Sequence, residues 1–184
     1  MKNNSKFIIK MMQYKILVLG NKDAGKTSLC KKFCSNEFDL EKKPSCKSET
    51  FSKQLQIYEN KIKMFIVIYD MKTIIDNVNI QKDVSAAIII YDITKYNNFE
   101  EIELVITNLR KYNPKLPILI LGNKLDLEFL RKVDSEEAKE KAEELNCIFA
   151  ENMCTDSQSV KNSFKLLLTE ILIQYYHDES ENEK

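Results

Sequence analysis

Residues 20–27 read Gly-Asn-Lys-Asp-Ala-Gly-Lys-Thr and lie between an apolar run, residues 14–19 (YKILVL), and a helical pattern over residues 25–34. That junction restricts the chain to folds in which a buried strand turns sharply into a helix. Glycine usage marks the same place independently. The chain holds 3 glycines in 184 residues, and Gly20, Gly25 and Gly122 all fall in this junction or in the segment LGNKLD. A chain so sparing of glycine keeps it where a side chain would block close backbone approach or a positive φ.

Strand-like apolar runs alternate with helical patterns along the rest of the chain. This is the signature of an α/β fold with a mostly parallel sheet and helices on both faces. Residues 51–57 and 62–69 flank Glu59-Asn60 and predict an antiparallel hairpin at one edge. Residues 86–91 (AAIIIY) and 117–121 (PILIL) are further buried strands with a helix over residues 99–112 between them, and residues 147–150 are the last strand. The sheet is therefore expected to have six strands. Asp134 is placed to cap a charged helix through residue 145, because Glu136 and Glu137 then complement its positive end. Val160, Phe164, Leu167, Leu168, Ile171 and Leu172 give one apolar face to a helix over residues 160–175. Residues 38–47 read as a long polar loop. The expected organisation is a flexible extension over residues 1–12, one domain over 13–176 and an acidic tail over 177–184.

Composition narrows the partners. At 21.6 kDa and 43% hydrophobic residues there is material for one substantial core and not for two. The 28 basic and 28 acidic residues cancel, which removes any global pull toward nucleic acid or an anionic membrane. The 5 cysteines include no CxxC pair, and His177 alone cannot complete a zinc set. Reduced thiols are expected, in a cytoplasmic setting. The start of the chain lacks the long apolar stretch of a signal peptide, and no run approaches a membrane span.

The pattern GxxxxGK[ST] after a strand and before a helix is a phosphate-binding loop. Successive N–H groups and the helix N-terminus offer partial positive charge, Lys26 adds a full charge, and the Thr27 hydroxyl, followed by Ser28, is placed to hold Mg²⁺. Asn21, Lys22, Asp23 and Ala24 form its interior, where small residues are the rule, so Lys22 and Asp23 are unusual. A carboxylate about 6 Å from a phosphate charge costs about 3 kcal/mol at an effective dielectric of 20, unless Lys22 or solvent offsets it. At the end of the strand PILIL, Asn123, Lys124 and Asp126 form NKLD. A carboxylate there accepts hydrogen bonds from the N1–H and exocyclic amine of guanine, a donor pair that adenine lacks, while the Lys124 stem covers one face of the base. Asn123 ties the neighbouring loops together.

With these motifs, and with YDIT at residues 91–94, the chain resembles Ras-superfamily small GTPases over residues 14–175, the Rab branch most of all. The resemblance implies a P-loop small G domain that uses GTP, GDP and Mg²⁺, works with effector or regulatory proteins, and is monomeric. It places Phe38 where an aromatic stacks on guanine, and Ser45 and Asp70 beside Thr27 as metal-binding positions. It also places Met153, Cys154 and Thr155, after Glu151 and Asn152, where the family has its second guanine-contacting loop. The match fails after Asp70. Met71-Lys72-Thr73-Ile74 replaces the family pattern, so Thr73 stands for the glycine that meets the γ-phosphate and Ile74 for the glutamine that orients water. Slow hydrolysis follows, because water positioning supplies orders of magnitude in this class. Lys2 and a carboxyl end without cysteine show neither myristoylation nor prenylation signals, so recruitment to membranes is expected to need a partner. A chain that keeps the fold but neither hydrolyses nor switches is the alternative.

Overall fold

The computed structural model describes residues 11–34, 50–57, 60–70, 83–96 and 99–182. Six strands, β1 (Met11–Gly20), β2 (Thr50–Ile57), β3 (Asn60–Asp70), β4 (Ala86–Asp92), β5 (Ile118–Asn123) and β6 (Ile148–Asn152), form one sheet in the order β2-β3-β1-β4-β5-β6. Only β2 runs antiparallel, in register with β3 from Thr50 opposite Val67 to Ile57 opposite Asn60. The remaining pairings are parallel. The described helices are α1 (Lys26–Cys34), α2 (Phe99–Arg110), α3 (Ser135–Glu144) and α4 (Ser157–Asn182), with a short 3₁₀ segment over Leu125–Leu130.

β1 is central and covered on both faces, so its continuous apolar run is what a parallel interior strand requires. Ile16 and Val18 point into one core with Leu29 and Phe33 of α1 and Phe164 and Leu167 of α4. Leu17 and Leu19 point into the other, with Ile102 and Val105 of α2 and Ala138 and Ala142 of α3. The Phe33 and Phe164 rings stack at 3.7 Å between centroids, joining α1 to α4. Phe164→Ala opens a cavity at a site 2% exposed, so stability is expected to fall by about 3–5 kcal/mol. A shift in the denaturant midpoint at unchanged slope checks this.

Two elements extend well beyond the sequence reading. β1 starts at Met11, so residues 11 and 12 of the expected extension belong to the sheet, and Met12 is buried in the core. α4 runs from Ser157 through Asn182, so most of the expected acidic tail is helical. Its early start has a local cause: Asp156 accepts hydrogen bonds from the Gln158 and Ser159 amides, each at 3.0 Å, which caps the helix. Asp134 does the same for α3, as expected, accepting from the amides of Glu136 and Glu137. Among the described residues, no helix is long and apolar enough to cross a membrane.

Candidate functional site

β1 delivers its last residue, Gly20, between Asp70 at the end of β3 and Ile90 of β4. A side chain does not fit there, since a Cβ on Gly20 would lie 2.3 Å from the Ile90 carbonyl oxygen. The loop that follows turns through left-handed conformations at Asp23 (φ 65°) and Gly25 (φ 101°). α1 begins at Lys26, directly after the loop, so the positive end of its dipole lies at the loop. The Lys26 ammonium folds back and donates to the carbonyls of Gly20 (2.7 Å) and Asn21 (2.8 Å), which fixes it at the loop mouth. Lys22 and Asp23 are exposed. Water screens the Asp23 carboxylate accordingly, and the repulsion expected from the sequence is reduced.

The second segment meets this loop from across the sheet. Asn123, the last residue of β5, is 2% exposed, and its Nδ2 donates to the Ala24 carbonyl at 2.8 Å. Its Oδ1 accepts from the Cys154 thiol at 3.2 Å. Burial pushes that thiol above its ordinary range, against the opposing effect of the Asn123 contact. A Cβ on Gly25 would lie 2.2 Å from Asn123 Nδ2, so the phosphate-loop glycine and the base-motif asparagine depend on each other. Lys124 adopts φ 74° and ψ 38°, and its ammonium lies 2.6 Å from Asp92 Oδ2. Burial raises the Asp92 carboxyl, but hydrogen bonds from Lys124 and Thr94 outweigh it and hold the group below the usual carboxylate range. Arg131 braces the flank, bonding both carboxylate oxygens of Glu151 (2.6 and 2.9 Å) and those of Glu128.

The two segments enclose a cavity of about 500 Å³. Asp23, Gly25, Lys26, Thr27 and Ser28 line one end, and Asn123, Lys124, Asp126, Cys154 and Thr155 the other. Gly20, Asn21 and Ala24 shape it through their carbonyls rather than lining it, and Lys22 stands outside. Met153 stands apart from its neighbours Cys154 and Thr155. It does not line the cavity, and its amide is spent on the Ser159 hydroxyl at the start of α4. Phe38, Ser45, Thr73 and Ile74 lie outside the described residues. Asp70 ends β3 beside Gly20, which brings its backbone to the phosphate-loop end. Asp92, Arg131 and Glu151 support the site from outside its motifs, through contacts that no local sequence pattern announces.

The family model for the Ras family matches residues 15–173. The chain belongs to the Ras family. Its relatives are Rab-like: it is 32% identical to the Ras-related protein Rab11B of Nicotiana tabacum over 162 residues, covering 86% of this chain and 74% of that one. Similarity to the Ras-related protein RABA4c of Arabidopsis thaliana (33%, covering 86% and 72%) and to the GTP-binding protein ypt3 of Schizosaccharomyces pombe (32%, covering 86% and 75%) is of the same order. Ras-family GTPases bind guanine nucleotides. The cavity of this Rab-like small GTPase lies at the carboxyl ends of its parallel strands, where open α/β sheets bind ligands.

Proposed function

We propose that this Rab-like small GTPase binds GTP and GDP with Mg²⁺ in the cavity between its phosphate loop and NKLD, and that it hydrolyses GTP slowly. One observation carries the reading: the Asn123 side chain joins the two segments through the Ala24 carbonyl, so phosphate and base contacts share one wall. The α1 amides and Lys26 supply donors for phosphate oxygens, and Asp126 supplies an acceptor for guanine. The residues fit a magnesium nucleotide: Lys26 is held at the loop mouth, and Gly25, at a φ that side chains rarely adopt, lets the loop pack directly on Asn123. Thr27, with Ser45 and Asp70, would hold Mg²⁺, which offsets phosphate charge when bound. Roles in vesicle trafficking through effector proteins, and recruitment to membranes by a partner, follow from the Rab resemblance. The non-switching alternative is supported by Thr73 and Ile74, which remove the γ-phosphate-sensing glycine and the water-orienting glutamine.

Two measurements test this. Purified protein incubated with GTP and Mg²⁺, then heat-denatured, is expected to release guanine nucleotide; adenine nucleotide, or none, would refute the base assignment. In a single turnover, γ-phosphate release is expected to be slower than roughly 3 × 10⁻⁴ s⁻¹, the intrinsic rate typical of a small GTPase that keeps its glutamine. Faster release would defeat the claim of impaired hydrolysis, and its complete absence over days would favour the non-switching module.

A further inference from the structure

We infer that Asp92 is a positioning residue for the base end of the site: it holds Lys124 across the cavity wall and thereby sets how long a guanine nucleotide stays bound. The inference rests on the guanine-nucleotide reading above. Asp92 ends β4 directly opposite Asn123 in the parallel register with β5, so the sheet places its carboxylate beside the residue that follows Asn123. The carboxylate is fixed at both oxygens. Oδ1 accepts from the Thr94 amide (2.9 Å) and hydroxyl (2.7 Å), and Oδ2 accepts from the Lys124 ammonium (2.6 Å). Its side chain is 4% exposed, whereas that of Lys124 is 28% exposed and lines the cavity. Lys95, also near Oδ2 at 4.0 Å, has a side chain 57% exposed and is a weak competitor.

A lysine stem is among the costliest side chains to immobilise. Here the ammonium is anchored before ligand arrives, on a carboxylate that is itself pinned. The left-handed backbone at Lys124 points to the same end, since it turns the chain so that Lys124 reaches Asp92 while Asp126, in the 3₁₀ segment that follows, lines the cavity. Anchoring also neutralises the lysine charge, so the wall offered to the base is its alkyl stem rather than a free ammonium. Without Asp92, the nucleotide would have to order this side chain as it binds, and residence time would shorten.

The test follows release of a fluorescent GDP from wild type, Asp92→Asn, Lys124→Met and the double variant. Asp92→Asn is expected to accelerate release about tenfold, the loss of one pre-ordered side chain. In the Lys124→Met background, the same change is expected to alter release by less than about twofold, because the group that Asp92 anchors is gone. Equal acceleration in both backgrounds would overturn the inference, since a purely structural role does not depend on the lysine ammonium. Unchanged release in Asp92→Asn would overturn it as well. If Asp92→Asn does not fold, Thr94→Val carries the test: it leaves the charge pair but frees Oδ1 from the hydroxyl. Acceleration of about threefold is then expected, and lost in the Lys124→Met background, and its absence refutes the inference. Wild-type protein that retains no guanine nucleotide refutes the guanine reading itself; wild type that retains it, with unresponsive variants, refutes only the role of Asp92.

Discussion

Gly25→Ala is expected to lower guanine-nucleotide affinity by about 30–100-fold while leaving the nucleotide-free domain folded. Two costs combine. The backbone at Gly25 has φ 101°, which a residue with a Cβ adopts only under strain, of order 1 kcal/mol or more. The added methyl would also sit 2.2 Å from Asn123 Nδ2, so the loop and the β5 end must separate. That separation breaks the hydrogen bond to Ala24, worth about 1 kcal/mol net and more if the amide is left buried without a partner. Both costs fall on the element that presents amides to phosphate and on the junction that joins the two halves of the cavity. Titration with fluorescent GDP, beside thermal unfolding of the empty protein, separates binding from folding. Unchanged affinity would mean that this loop is not the phosphate cradle.

How far the sequence spoke depended on whether each feature is local. The phosphate loop was readable because its mechanism lies within eight consecutive residues between a strand and a helix. The six-stranded sheet and its antiparallel edge were readable too, since doubly covered strands appear as continuous apolar runs. Asp134 was legible as a cap because acidic residues follow it, whereas Asp156, followed by Ser157, Gln158 and Ser159, gave no comparable sign and α4 was read short at both ends. Non-local partners stayed hidden. Asp92 meets Lys124 only through strand register, and Arg131, after the 3₁₀ segment, reaches Glu151 on β6. The thiol of Cys154, in the loop after β6, bonding Asn123 at the end of β5 is likewise a contact between residues distant in the chain. Motif position alone does not announce the bond from the Met153 amide to the Ser159 hydroxyl either.

Asp126→Asn is expected to change which base the site prefers rather than merely weaken it. Asp126 stands in the first turn of the 3₁₀ segment, exposed at the cavity, within the turn closed by the Leu127 amide on the Lys124 carbonyl at 2.7 Å. An ionised carboxylate there has only acceptors, matching the two adjacent donors of guanine. Asparagine keeps the shape but turns one acceptor into a donor, so one guanine N–H meets another N–H. Losing one charge-assisted hydrogen bond and leaving a donor unpaired costs about 4 kcal/mol, or roughly a thousandfold in affinity. Xanthine carries a carbonyl where guanine carries its amine, and that carbonyl accepts from the asparagine amide, so xanthine nucleotide binding is expected to rise. Competition of GDP against xanthosine diphosphate on wild type and variant reads both changes at once. A reversal of preference supports Asp126 as the base-reading residue. An equal loss for both nucleotides would show instead that the substitution disturbs the turn at Lys124, and would remove the basis for assigning guanine.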